Sequence, residues 1–296
     1  MSKNNVKPEI RFKNFTDAWE QRKWIDTVDM STNMVNPKSG IYDNLPHIGP
    51  GNIESFTGRI LSNVNSVKED NIISGKFHFK SGDIIYGKIN PQLAKYAYVN
   101  FEGLASADSY VLSSKSGIDQ YFLFIILQTK WFYKYSVSVS MRTGMPKINR
   151  DELNHFNYFA PSDIKEQKQI GFLFKQLDNT IALYQHELTL LKQRKKAFLQ
   201  KMFPKKGELH PEIRLNKYSD EWTEVKFGDL GNTFTGLSGK TKEDFGHGEA
   251  EYITYKNVFN NYLAEETLTE HVEIDQKQNQ VKYLSLIHIS EPTRPY

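Results

Sequence analysis

The sequence predicts an α+β chain: a β-rich module, then a long coiled-coil helix, then the incomplete start of a second copy of the module. Three observations carry this. Residues 8–19 read PEIRFKNFTDAW and residues 211–222 read PEIRLNKYSDEW, an ungapped repeat 203 positions apart. Short β-like runs separated by turn signals follow the first copy. Between the copies, apolar residues recur in alternating steps of four and three.

The repeat has the length of a domain plus something, far too long for a solenoid or propeller unit. Pro8/Pro211, Glu9/Glu212, Ile10/Ile213, Arg11/Arg214, Asp17/Asp220, Trp19/Trp222 and Lys23/Lys226 are identical pairs. A second echo aligns HIGPGNIE (47–54) with YITYKNVF (252–259), and Asn52 with Asn257.

Within residues 24–160 the runs GRIL, KFHF, DIIYGKI, KYAYV and DSYVLS read as strands of a mostly antiparallel sheet. The aromatic-rich stretch 118–137, IDQYFLFIILQTKWFYKYSV, reads as a helix packed on that sheet. Two polar loops, YGKINPQLAKY (86–96) and MRTGMPKIN (141–149), present cations, amides and hydroxyls on sheet-held backbone. Those are the groups that reading base edges and phosphates requires.

The helix is expected over 161–204. Its seam runs through Ile170, Phe174, Leu177, Ile181, Tyr184, Leu188 and Leu191 to Phe198 and Met202. Ser162 is the expected N-cap, and Pro204 and Gly207 end the helix. Such a seam either packs on its own domain or takes a partner helix. From Lys192 to Lys206 there are seven basic residues and no acid. That run is either a solvated helix end, favoured by the macrodipole, or a contact for phosphate or an acidic partner.

Composition sets the outer limits. The chain has 296 residues, 39% hydrophobic and 13% aromatic, enough for real cores and unlike a disordered segment. It has no cysteine, which removes disulfides, thiol catalysis and zinc–thiolate sites and fits a cytoplasmic location. There is no apolar run long enough to span a membrane and no apolar core near the N-terminus of the signal-peptide kind. A formal net charge of +3 permits nucleic-acid binding without arguing for it.

Motifs for catalysis are not found. GLSGKT (236–241) has two residues between its glycines where a phosphate-binding loop needs four. NPQL (90–93) is not the Asn-Pro-Pro-aromatic tetrapeptide of amino-methyltransferases, and no His-x-x-x-His pair occurs. Neither an acid/base pair, a metal site nor a cofactor is expected.

Taken in order, PEIRFKNFTDAWEQRKW, GDIIYGKINPQL, SADSYVL, RTGMPKIN, the APSDIKEQ…LQKMFP helix and the second PEIR…W segment resemble the specificity subunits of type I restriction-modification systems. The helix motif is the most specific part: Pro161, Glu166, Gln167, Ile170, Leu177, Asp178, Ile181, Leu191, Lys192, Lys195, Leu199, Gln200, Met202 and Phe203. The resemblance implies two target-recognition domains, each reading half of a bipartite double-stranded DNA site. It implies long helices pairing as a spacer, methylation subunits docked on them, and restriction/translocase subunits joining through the complex. It also implies that the subunit itself is non-catalytic. By position it makes Lys88, Asn90, Gln92, Arg142, Thr143 and Lys147 the DNA-facing residues. The expected domains are then a first target-recognition domain over 1–160, a spacer helix over 161–204, and a linker with an incomplete second domain over 205–283. Residues 284–296 contain LSLIHISEPTR, which looks like a translated sequencing adapter, and the chain is expected to be a fragment whose unpaired helix can form a homodimer. The alternative is a fragment of a DNA methyltransferase or restriction enzyme with a fused recognition domain.

Overall fold

In the computed structural model, residues 6–141, 144–232, 237, 239–261, 263 and 265–274 are described. The chain divides into two compact units, Met1–Lys195 and Lys196–Tyr296. In the first unit the elements run β1 (Glu20–Lys23), α1 (Trp24–Thr27), β2 (Val28–Met30), β3 (Met34–Val35), β4 (His47–Ile48), β5 (Lys76–Phe79), β6 (Ile84–Gly87), β7 (Tyr96–Tyr98), β8 (Gly103–Ala105), β9 (Ser109–Ser114), α2 (Gln120–Gln128), α3 (Lys130–Ser140), α4 (Arg150–Asn154), β10 (Asn157–Ala160) and most of α5 (Ile164–Lys201), whose last turn belongs to the second. This is the α+β class that the sequence indicates, a β-rich body followed by a long helix.

The strands form two four-stranded sheets instead of one. The first, ordered β2-β9-β6-β7, is antiparallel throughout; the second, ordered β3-β5-β8-β4, contains one parallel pair, β4 with β8. Of the sequence-predicted strands, GRIL is not one: Ile60 makes only an isolated bridge to Ile53. Its few residues lack a neighbouring strand to extend the pairing.

The first sheet is buried on both faces, which explains its near-continuous apolar runs. Successive side chains point to opposite faces. Ile84 and Tyr86 of β6, Tyr96 of β7, and Tyr110 and Leu112 of β9 join a core under α2 and α3. Ile85, Ala97 and Val111, one residue out of phase, join a second core against Phe79 and Ala105 of the other sheet. The layers are therefore helices, sheet and sheet.

The single helix read over 118–137 is two. Thr129 ends α2 and caps α3: its hydroxyl donates to Ile126 O at 2.7 Å and accepts from Phe132 N at 3.2 Å. A hydroxyl offering the backbone a local alternative to the helical bond interrupts the helix without a glycine or proline. Asp119 caps α2 through Tyr121 N and Phe122 N, both at 3.0 Å.

Helix α5 is roughly 57 Å long at about 1.5 Å per residue, from its 38 residues. Asp163, not Ser162, closes its N-terminus, with Oδ1 accepting from Lys165 N at 2.7 Å and its carbonyl from Glu166 N. The start of α5 is locked to the body. The Glu166 carboxylate is 1% exposed and accepts two arms of the Arg11 guanidinium, Nε at 2.7 Å and Nη2 at 2.8 Å. The third arm, Nη1, donates to Asp17 O, and the Trp19 indole donates to Glu166 at 3.4 Å. Gln167, wholly buried, accepts from Asp119 N and donates to Gly117 O and Pro161 O. Strand β1 pairs with β10 immediately before the helix.

In the second unit, α6 (Phe227–Leu230), β11 (Phe245–Ile253), α7 (Tyr255–Asn260) and β12 (Thr269–Val272) follow the end of α5. Strands β11 and β12 pair antiparallel. The second sequence echo is structural as well. Asn52 donates to Asn63 O, and Asn257, 205 positions on, donates to Leu268 O, the equivalent carbonyl. The bridge Pro46↔Ser66 likewise has its counterpart in Glu251↔His271. The segment read as an adapter, 284–296, lies outside the described residues.

Arg11→Ala leaves Glu166 buried without its charge partner. It should lower stability by about 3 kcal/mol, read as a fall in denaturation midpoint by urea titration followed by circular dichroism.

Candidate nucleic-acid interface

The two cationic loops, more than forty residues apart in sequence, are laddered together. Ile89 and Lys147 form an antiparallel bridge, Asn90 N donates to Pro146 O at 2.8 Å, and Ile148 N donates to Lys88 O at 2.9 Å. Lys88 N is itself held by Asp108 O at 3.0 Å. The first loop leaves β6 and the second enters α4, so both rest on the two-sided sheet.

Tyr110 of β9 lies beneath the junction. Its hydroxyl donates to Ile148 O at 3.2 Å. Lys88 Nζ sits 5.7 Å from the ring centroid and the Arg150 guanidinium 5.6 Å, both cation–π distances. Arg150 is fixed by Met30 O at 2.8 Å and Ser31 O at 2.7 Å, so it braces the loops from below. Asn149 caps α4 through Glu152 N, which fixes where the second loop ends.

The electrostatics are those of crowded cations. Burial first, then Lys147 and Arg150, hold the Lys88 ammonium below its ordinary pKa, and Asp108 opposes them. Lys76 is also held below its ordinary value, by burial, with Asp108 again opposing; its ammonium donates to Ser74 Oγ at 2.6 Å.

Of the sequence-predicted residues, Lys88 and Asn90 are half-buried at the ladder, while Gln92 and Lys147 are exposed. Asn90 and Ala94 both have left-handed backbone, φ 50° and 45°, at either end of the turn Pro91–Leu93. Such backbone is costly for non-glycine residues, and it turns Gln92 outward, with Gln92 Nε2 3.4 Å from Asn90 Oδ1. Arg142 and Thr143 lie outside the described residues. The sequence reading did not assign Tyr110, Asp108 or Lys76 a role. Alternation along β9 places Tyr110 on the face of Leu112, but its contact with Ile148 has no local signature.

On α5, Ile170 packs partly against the helical core of the first unit. Beyond it Phe174, Leu177, Ile181, Tyr184, Leu188 and Leu191 are 40–64% exposed. The same helix touches its own body through Asp178, which accepts from the Tyr121 hydroxyl at 3.2 Å, and through Gln185, which accepts from Arg59 at 3.1 Å. So one side meets the body as far as Gln185 and the seam stays open. No helix among the described residues is long and apolar enough to cross a membrane.

A β-rich body with a laddered cationic loop pair leads into a long helix anchored at its start. The chain belongs to the family described as Type I restriction modification DNA specificity domain, whose model matches residues 31–193. It is 35% identical over 159 residues to the Type I restriction enzyme EcoDI specificity subunit of Escherichia coli, covering 54% of this chain and 34% of that protein. It thus spans about a third of the length of that relative. Among solved structures it is similar to the HsdS subunit from Thermoanaerobacter tengcongensis, at 17% identity and a TM-score of 0.47, covering 65% of this chain and 51% of that one. A chain from a structure of a type I R-M system, solved for its complex assembly and conformational transition, matches at 16% identity and a TM-score of 0.48, covering 77% and 58%.

Tyr110→Phe removes the hydroxyl beneath the loop junction. It should cost about 1 kcal/mol of stability and speed amide exchange at Ile148 and Asn90, read by hydrogen exchange with mass spectrometry.

Proposed function

We propose that this chain is a non-catalytic DNA-recognition subunit. Its first unit reads one half of a bipartite double-stranded site, and its long helix carries the methylation subunits. The observation that carries the reading is the convergence of Lys88 and Arg150 over Tyr110, with Lys147 acting on Lys88 from the facing loop, on two loops fixed by backbone hydrogen bonds. Lys88, Asn90, Gln92 and Lys147, with Arg142 and Thr143 from the same loop, are the proposed contacts. Lysines close to phosphates supply affinity, and the amides of Asn90 and Gln92 are suited to adenine edges. In this reading residues 1–160 form the recognition domain, 161–204 the spacer helix, and 205–283 the opening of a second recognition domain. The protein works in the cytoplasm, without a cofactor.

The open seam supports the partner side. Phe172, Leu173, Leu183 and Leu190 are also 44–64% exposed, and they lie off the heptad positions. The apolar face is thus wider than one partner helix covers, which suits a helix mate together with methylation subunits, with the restriction/translocase subunits joining through that complex. A second copy of this chain is an alternative mate.

Lys88→Ala and Lys147→Ala should each weaken duplex binding. A phosphate contact lowers affinity evenly across sequences and reduces the log–log salt slope by about one unit per residue. A phosphate beside Lys88 also raises its depressed pKa, so the protonated form binds tighter. Affinity should be level below the free-state pKa and fall as pH rises through it. Lys88→Arg stays charged and should flatten that decline. Fluorescence anisotropy with labelled duplex, as salt and pH are varied, measures all of these. Wild-type affinity and salt slope in both alanine variants would refute the loop assignment.

Leu177→Asp and Leu188→Asp put charge on the seam where the side chains are already 47% and 51% exposed. The isolated chain should keep its fold and denaturation midpoint, while association through the helix drops by several kcal/mol. Analytical ultracentrifugation, alone and with methylation subunits, reads this; unchanged assembly would place the interface elsewhere.

A further inference from the structure

The repeated segment folds twice into the same loop. In the first copy Trp19 N donates to Val6 O at 2.9 Å and Phe15 N to Phe12 O at 3.4 Å. In the second, Trp222 N donates to Leu209 O at 3.0 Å and Tyr218 N to Leu215 O at 3.0 Å, each bond displaced by 203 positions. Arg11 Nη1 donates to Asp17 O, and Arg214 Nη1 donates to Asp220 O. Trp19 meets Phe122 edge-on at 6.1 Å, and Trp222 meets Phe203 edge-on at 5.6 Å, both at 74°.

One thing differs. The first loop spends the rest of its arginine fork, and its indole N–H, on the Glu166 carboxylate in the first turn of α5. Among the described residues no carboxylate meets the rest of the Arg214 fork. Two glutamates close to it in sequence have other partners: Glu212 accepts Lys205 at 2.5 Å and Lys201 at 3.5 Å, and Glu221 faces His210 at 3.7 Å. Trp222 is 38% exposed. Glu166 is not free to serve it, because Arg11 holds both its oxygens.

We infer that the 209–222 loop is a docking clasp for the start of a second helix of the α5 kind, one whose first turn presents a glutamate to Arg214 and Trp222. The geometry of the first copy supplies the chemistry. The fork takes a carboxylate with two parallel N–H bonds, and the indole edge adds a third donor. A lysine could replace the charge but not the fork. The inference rests on the duplicated loop and is independent of what the cationic loops bind.

The test is calorimetric titration of the full chain with a synthetic peptide of residues 160–182, which carries the Pro-Ser-Asp start and Glu166. Binding is expected, with about tenfold loss for a Glu166→Gln peptide, since a neutral amide forfeits the charge-assisted pair. The Arg214→Ala chain should lose as much, and Arg214→Lys an intermediate amount. An Arg11→Ala chain should still bind the peptide at the Arg214 clasp. The altered peptide raises no question of folding and so checks the altered chains. Absence of binding would overturn the inference. So would binding that the Glu166→Gln peptide and the Arg214→Ala chain leave unchanged, which would place the peptide on the open seam of α5 instead.

Discussion

The Glu166 carboxylate, buried under the Arg11 fork at 2.7 and 2.8 Å, is the contact on which the long helix depends. Most of α5 is solvent-exposed, and an isolated helix gains little from propensity alone. Its position relative to the body is set where it starts. There Glu166 binds the N-terminal arm, and Gln167 satisfies two backbone groups in the turn before α2 and one just before α5. A buried ion pair is weak evidence of net stability, since desolvation opposes the attraction. What it does supply is a single geometry: the fork, the indole and the amide accept one rotation of the helix and no other. The pairing of β1 with β10 brings the arm to that spot and so belongs to the same device.

The two-sided burial of the first sheet does for the loops what the clasp does for the helix. Ile84, Ile85 and Tyr86 fix β6 from both faces, so the chain leaves it in a fixed direction toward Lys88. From there the backbone ladder to Pro146 and Ile148, with Tyr110 beneath it, replaces regular secondary structure. Loops held this way combine irregular side-chain presentation with little freedom, as recognition of a rigid surface requires.

What the sequence made legible follows from period. The heptad of α5 and the apolar runs of β6, β7 and β9 were readable because every residue repeats the same local rule. Thr129 was not, because the residues on either side keep helical periodicity and one hydroxyl decides the break. The second sheet, with its parallel pair, joins His47–Ile48 to Gly103–Ala105, and no local pattern marks such a pairing. The site divides in the same way. Lys88, Asn90, Gln92 and Lys147 stand out as polar residues on loops. Arg150 as a brace and Tyr110 as a floor depend on partners 38 to 120 residues away. The same holds for the clasp. The repeat singled out Arg11 and the helix motif singled out Glu166, but nothing local joins residues 155 apart.

The crowding of Lys88, Lys147 and Arg150 has a structural cost that the fold accepts. Like charges at a partly desolvated junction repel, and the depressed pKa of Lys88 records its burial first and that repulsion second. A flexible loop would relieve it by spreading. Here the bridge between Ile89 and Lys147, and the carbonyls of Met30 and Ser31 on Arg150, hold the cations in place. The acid that opposes this at Lys88, Asp108, offsets only part of the charge and acts on Lys76 as well. An unrelieved cluster of this kind gains most from a partner that brings closely spaced negative charge. In the proposed reading, DNA backbone phosphate is that partner, and the repulsion held by the ladder in the free protein becomes a part of the binding energy.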